Sequence, residues 1–328
     1  MSIEDISVQS DRISTKITGD SQIWVVTCLV ISVIALSFAP ILVRCSETEL
    51  GPYGTVFNRF WITGLLLVLG KGIKTFWNRI SASLSDKIHD LSLEHPEEVY
   101  TLQDIAYLIL AAILEAACHV TWAWSLTETS VANSNLLHNT TPIFTTLGGW
   151  LLFNQSFSFR CLSGIALSIL GTLVLSLQDF QLGLGTWIGD SIALLSALFY
   201  ASAFLLVGHL RAKFSTTTIL LWMCTWCTLL LMPFTLLLED SLLPTSSSTW
   251  FAVTGLASLC TIIGTSALIF TLKHFTSSFV SLVMLLEPFI AACLAWFFFA
   301  EQLSLFNGLI FIIVLYGIYL VEPASKQS

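Results

Sequence analysis

The sequence predicts an all-α integral membrane protein of about ten transmembrane helices arranged as two inverted five-helix repeats. Three observations carry this expectation. Of 328 residues, 55% are hydrophobic and only 10% are charged, whereas a soluble globule covers itself with roughly 25% charged residues; mean hydropathy is +0.84. The apolar residues gather into runs near the length of about 20 that crosses a bilayer as a helix. The chain also superposes on itself at an offset of 146 residues. Composition thus excludes a water-soluble enzyme of one or two domains. With 13 Lys+Arg against 21 Asp+Glu and a net charge of -8, nothing suggests a nucleic-acid partner.

The apolar runs fall at 23–42, 56–69, 105–124, 131–153 and 161–177, then at 187–207, 217–238, 250–272, 279–299 and 305–321. The first follows a polar tail and has no small-residue cleavage site, so it reads as a retained helix and not a signal peptide; Pro40 near its end marks a kink. The second run is short, and its start can reach back to Tyr53. Between it and the third lies the long polar loop. There Phe76, Ile80, Leu84, Ile88 and Leu91 recur at helical spacing among Lys74, Arg79 and Lys87, the pattern of a helix over 74–91 lying on an anionic membrane surface. A docking site for a cytosolic partner is the alternative. Pro244 and the Thr-Ser-Ser-Ser that follows it read as a short outer loop without chemistry.

Lys and Arg accumulate on the cytoplasmic side of membrane proteins. With the N-terminus cytoplasmic, 11 of the 13 basic residues lie inside and only Arg44 and Arg59 outside, so both termini are expected in the cytoplasm of an inner-membrane protein. The expected organisation is a polar tail at 1–21, a first repeat at 22–178, a second at 183–321 and a tail at 322–328. Of the eight cysteines, only Cys45 reads as solvent-facing. The Cys224-Thr-Trp-Cys227 spacing has no second ligand pair and is assigned to packing.

The offset of 146 residues places Pro142 on Pro288, Trp150 on Trp296, Phe153 on Phe299, Ser158 on Ser304 and Gly171 on Gly317. Five crossings is an odd number, so a duplicated unit enters the membrane from the opposite face. Two inverted halves can exchange conformations and expose a central site to each side in turn.

Phe38-Ala39-Pro40-Ile41 with Arg44, Asn58-Arg59-Phe60, and two copies of a Pro-containing helix ending in a Trp-aromatic-Gln/Glu stretch resemble the EamA family of the drug/metabolite transporter superfamily. The second copy, Leu286-Glu287-Pro288 followed by Trp296 and Ala300-Glu301-Gln302-Leu303-Ser304, matches best; in the first, Gln155 stands where the family commonly has an acid. The resemblance covers about 23–321. It implies ten helices around a cavity lined mainly by the first, third, fourth, sixth, eighth and ninth. It also implies transport of a small metabolite such as an amino acid, a nucleobase or an amphipathic compound, export by preference, and no common cofactor.

Ionisable groups in lipid are costly and ask for a reason. Glu115 and His119 share one face of the third span, with Trp122 about two turns on. They read as a substrate-facing pair or as an internally satisfied pair tying helices together. In the fourth span Asn135, His138 and Asn139 precede Pro142, which removes a backbone donor and displaces a carbonyl near His138. This is a solute-binding patch or interhelical glue around a kink. Glu287, one residue before the kink at Pro288, is the candidate proton-coupling group, since apolar surroundings favour the uncharged form; a structural role at the kink competes. Arg59 either receives an anionic group or, as the preferred reading, pairs with Glu47, Glu49 or Glu128 at the outer rim.

The expected function is therefore secondary transport by alternating access, with the bilayer, a small-molecule substrate and protons as partners and no metal. Two rivals belong to other classes. One is an intramembrane enzyme built on Glu115, His119 and His138, for which no zinc-ligand spacing occurs in the sequence. The other is a non-transporting scaffold, whose effector domain is missing.

Overall fold

The computed structural model describes residues 19–84, 100–128, 134, 137–153, 158–178, 187–287, 289–290, 294, 312–313, 315–317 and 319–320. Among them the chain runs as helices joined by short turns. In a bilayer this is the expected solution, because a helix satisfies its own backbone donors and acceptors.

The first crossing is broken. Helix α1 (Gly19–Leu36) stops at Ser37 and Phe38, and α2 (Ala39–Ser46) restarts with Pro40 in its first turn, where a missing N–H costs nothing. The Ser37 hydroxyl lies 2.7 Å from the Val33 carbonyl and 3.2 Å from that of Glu287. The first break therefore leans on the backbone of the ninth span. Helix α3 (Pro52–Leu84) is a correction to the expected short second span: it continues unbroken into the stretch expected to form a separate surface helix. No proline interrupts residues 53–84, and Gly70 and Gly72 alone do not end the ladder. The rest of the expected surface helix, 85–91, lies outside the described residues.

Helix α4 (Leu102–Glu128) is capped where Asp104 accepts from the Thr101 amide at 2.8 Å and the Thr101 hydroxyl at 2.6 Å. The fourth span bends as the proline predicts: Asn139 and Thr140 form a turn, and α5 (Thr141–Phe153) starts again with Pro142 second. Then follow α6 (Phe159–Gln178), α7 (Trp187–Leu210) and α8 (Thr216–Leu238). The eighth span comprises α9 (Ser247–Gly255), a π-helical segment at Leu256–Thr265 and α10 (Ser266–Thr271). Helix α11 (Ser277–Val283) passes into a 3-10 turn at Met284–Leu286 just before Glu287. Five described segments are long and apolar enough to cross a membrane: Ile23–Ser46, Leu102–Ser125, Trp187–Leu210, Thr216–Leu238 and Ser247–Thr271.

The packing pairs have two-fold logic. The first crossing packs on the eighth (α1 on the π segment and α10), and the third on the sixth (α4 on α7). Exchanging repeats turns each of these pairs into the other. The second packs on the seventh (α3 on α8) and the fourth on the ninth (α5 on α11), pairs that such an exchange maps onto themselves. Small residues permit the closest contact. Ala193, Ala197 and Ala201 repeat every four residues along α7, and Ala111 and Ala112 face inward from α4, all buried. Cys224 and Cys227 are core residues, and the Cys227 thiol donates to the Ala112 carbonyl at 3.3 Å, so packing accounts for the CxxC spacing; Cys45 is exposed. Trp24, Trp124 and Trp187 stand exposed at helix ends, where an aromatic belt would sit.

Gly264 marks another close approach. A Cβ there would meet Leu36 Cγ at 3.0 Å and Ala35 Cβ at 3.2 Å, whereas one at Gly70 would meet nothing within 4 Å. Gly264→Val is therefore expected to cost about 1–3 kcal/mol by overpacking. Thermal unfolding of detergent-purified protein should show the loss, with Gly70→Ala unchanged beside it.

Candidate functional site

The candidate residues come to one layer of the bundle from different helices, three of them continuous and two interrupted beside the residue they supply. Helix α3 supplies Arg59, α4 supplies Glu115, His119 and Trp122, and the bend before α5 supplies His138. The turn after α11 supplies Glu287, and α7 adds Tyr200, which the sequence reading passed over. Arg59 acts electrostatically on both Glu115 and Glu287, and Tyr200 lies within the fields of all three. Asn135 and Pro288 lie outside the described residues.

Arg59 is the clearest correction. It is only 7% exposed, and its Nε donates to the Thr261 hydroxyl at 2.7 Å. Its expected rim partner Glu49 is taken instead by Thr245 and Ser246. The reason is the π-helical segment. Its wider turn lets the Thr261 hydroxyl donate to the Leu256 carbonyl five residues back at 3.0 Å while presenting its oxygen to Arg59. The guanidinium also lies 5.8 Å from the Phe60 ring centre.

The hydrogen bonds fix both histidine tautomers. His119 Nδ1 is 3.0 Å from the Glu115 carbonyl oxygen, which can only accept, so Nδ1 carries the proton and Nε2 is left an acceptor. His119 Nδ1 also lies 3.9 Å from Glu115 Oε1. Ser196 donates to the Ala193 carbonyl at 2.6 Å, so its oxygen accepts from His138 Nδ1 at 2.9 Å. His138, too, presents Nε2 as an acceptor. Its ring stacks on Tyr200 at 5.3 Å and lies 6.0 Å from Trp122, while His119 meets the edge of Phe60 at 5.6 Å.

Two crevices flank the layer. One, bounded by Glu47, Thr55, Arg59, His119 and Trp122, measures about 10 Å³. The other, bounded by His138, Asn139, Pro142, Tyr200 and Glu287, measures about 30 Å³. Each has room for a water or two and not for a metabolite.

Both ends of the bundle carry polar clasps. At one, Glu49 accepts from the Thr245 hydroxyl at 2.5 Å, the Ser246 amide at 3.1 Å and its hydroxyl at 2.7 Å, and bonds the Thr245 amide as well. These bonds hold the Glu49 carboxyl well below the usual range. The loop read as free of chemistry thus anchors this end. Glu239 reaches back and accepts from the amides of Gly51 at 3.1 Å and Gly54 at 2.9 Å, at the start of α3. Asn58 adds a bond to the Leu242 carbonyl at 2.9 Å. At the other end Lys213 pairs with Asp104, and Arg211 donates to the carbonyls of Ile269, at 3.0 Å, and Phe214.

Tyr200 had a signal in the sequence, since a mid-span tyrosine hydroxyl needs a polar neighbour. Ser196, Thr261 and Glu239 had none; only the fold gives them their places. His138→Ala is expected to raise the apparent Km of transport several-fold with a smaller change in folded yield. Loss of folded protein in proportion to activity would assign His138 to packing alone.

The model of the EamA-like transporter family matches residues 23–177 and again 187–322. A curated protein of Archaeoglobus fulgidus, described as an uncharacterized transporter, is 24% identical over 296 residues, which are 88% of this chain and 93% of that protein. A solved structure described only as the crystal structure of a protein superposes with a TM-score of 0.71 at 14% identity, covering 93% of this chain and 99% of the other. That likeness shows a shared fold.

Proposed function

The chain belongs to the EamA-like transporter family, a multi-pass membrane protein, and on that premise we propose that it exports a small, donor-rich metabolite by alternating access. The proposed orientation has both termini in the cytoplasm of an inner-membrane protein and the Glu49 end outside. The two repeats are taken as 22–178 and 183–321.

One observation carries this reading: a layer with a buried arginine, a buried carboxylate and a half-buried one lies between two ends, each closed by polar contacts that join different crossings. A structural core gains little from two carboxylates opposite one guanidinium, because burying charge is expensive unless it is fully paired. A solute site needs groups with free valence. Acceptors are in excess there: two carboxylates and, in the neutral rings, two imidazole Nε2 atoms share the layer with one guanidinium. A solute with an amino group or ring N–H donors would balance them, and Trp122, His138 and Tyr200 offer ring faces to stack on. Opening the Glu49 end while the Asp104–Lys213 end stays closed, then the reverse, would carry such a solute across. Glu287, directly after the 3-10 turn, is the proposed proton-coupling carboxylate. Glu115, His119, Trp122, Asn135, His138, Asn139 and Arg59 are the proposed solute contacts.

The test is thermal stabilisation of the purified protein by a metabolite library. A ligand at 100 times its Kd stabilises by about 2.7 kcal/mol. At least one amino- or N–H-bearing compound should raise the Tm of the parent protein and leave Glu115→Gln unmoved. Equal shifts in both would remove Glu115 from the site. Absence of any stabilising compound in a library containing amino acids, bases and amphipathic amines would oppose the solute class.

A further inference from the structure

Glu47 is the charged group that the central layer does not use. It follows α2, and its Oε1 is buried with no hydrogen-bond partner. It forms the rim of the crevice whose inner wall is Arg59 and His119. Across from it at the end of α8 stands Glu239, the carboxylate that closes this end by accepting from Gly51 and Gly54. That closure is built to fit. A Cβ at Gly51 would lie 2.5 Å from Glu239 Oε1, and one at Gly54 would collide with Oε2, so only glycine lets the carboxylate come down on the amides.

We propose that Glu47 is a proton-operated latch for this end of the transporter, holding the Glu239 clasp shut when it carries a proton and loosening it when ionised. The inference rests on the alternating-access reading. The physical argument is the cost of burying an ionised carboxylate that has no hydrogen-bond partner, with like-charge repulsion from Glu239 added. An ionised Glu47 opposes an ionised Glu239 across a partly buried gap; of the basic groups around it, Arg44, three residues earlier on α2, is exposed to solvent, and Arg59 is engaged with Thr261. Glu49, on the same loop, stays ionised because its hydroxyl and amide donors favour the charged form, and His119, which lines the crevice, has its Nδ1 turned to the Glu115 carbonyl. The π segment brings Leu256 to the crevice and no charge. Burial, and then the Glu239 charge, push the Glu47 carboxyl up to about 6. Burial raises Glu239 as well, against its backbone hydrogen bonds from Gly54, Tyr53 and Gly51.

The sign follows from linkage. The closed form binds the Glu47 proton more tightly than an opened, hydrated form at its ordinary value of 4.5. Protonation therefore favours closure. That preference is complete below 4.5 and lost as pH rises through about 6. The interval between the two values caps the change in the closed-to-open ratio at about 30-fold, and solvent screening of a partly exposed group brings it to about 10-fold.

The experiment needs no solute. Ala123 is buried on the crevice wall, so Ala123→Cys reports opening when a membrane-impermeant thiol reagent is applied at the Glu47 face. The background carries alanine at Cys28, Cys45, Cys161 and Cys293, and each rate is divided by that of the denatured protein at the same pH. With Glu47 present, labelling should rise about 3- to 8-fold between pH 5 and pH 7.5, with a midpoint between pH 5.5 and 6. Glu47→Gln should label slowly at every pH, Glu47→Asp should keep the rise, and Glu239→Gln should label fast throughout. A flat parent profile, or an unchanged rise in Glu47→Gln with Glu47→Asp folded and normal, would overturn the latch. Neither result touches the solute reading, which stands or falls on ligand stabilisation.

Discussion

Replacing Glu287 by glutamine is expected to abolish pH-gradient-driven transport in proteoliposomes while solute counterflow at equal pH continues. Glutamine keeps the side-chain shape and hydrogen-bonding capacity at the break after the 3-10 turn but cannot take or release a proton. The Glu287 backbone carbonyl, which the Ser37 hydroxyl approaches at 3.2 Å, is unaltered, so the contact between the first and ninth crossings persists. Coupling and carriage should therefore separate. An unchanged response to the pH gradient would take Glu287 out of the coupling role, and loss of counterflow as well would make it a solute or structural group. Glu115 shares the field of Arg59 with Glu287; Glu115→Gln is the control that distinguishes one coupling carboxylate from two.

The second large effect is on Arg59. Arg59→Met leaves Glu115 buried and Glu287 half-buried with no opposite charge in their layer among the described residues. Removing one member of a buried charged group typically costs about 3–5 kcal/mol, because what remains is an uncompensated charge. Folded yield in detergent should fall sharply. Adding Glu115→Gln should recover part of it, since the second change removes a charge that the first left exposed to an apolar medium. Measured Tm values for the two single variants and the double variant complete the cycle. A simple sum of the two losses would mean that Arg59 is held by Thr261 and Phe60 alone and that the charge layer is not a unit.

The crossings were legible because lipid demands one signal, an apolar run of spanning length, and the chain gives it repeatedly. The breaks at Pro40 and Pro142 were legible for a local reason, the missing backbone donor. The π-helical turn at Leu256–Thr265 was not. It rearranges hydrogen bonds within an apolar run whose composition is that of any other span, and its consequence, Thr261 turned toward Arg59, depends on a neighbour some 200 residues away in sequence. The same blindness placed Arg59 at the rim: a residue near the end of an apolar run can face either way, and rotation about the helix axis is set by packing. Glu115, His119 and His138 announced themselves as polar groups where polarity is costly. Glu239 did not, and Glu47 and Glu49 were read as partners of Arg59, because carboxylates beside loops are ordinary until the fold brings two loops together. Extending α3 through Leu84 replaced an expected surface helix for the plainest reason, that nothing in residues 71–84 stops a helix already begun.

The most direct test of solute export through the central layer is untargeted metabolite profiling of the medium. Cells overproducing the parent protein are compared with cells producing an Asn135→Ala, Glu287→Gln double variant at equal membrane abundance. The account predicts one or a few amino- or N–H-bearing compounds enriched outside only with the parent protein. Identical media from the two strains, with both proteins folded in the membrane and such compounds present inside the cells, would contradict it.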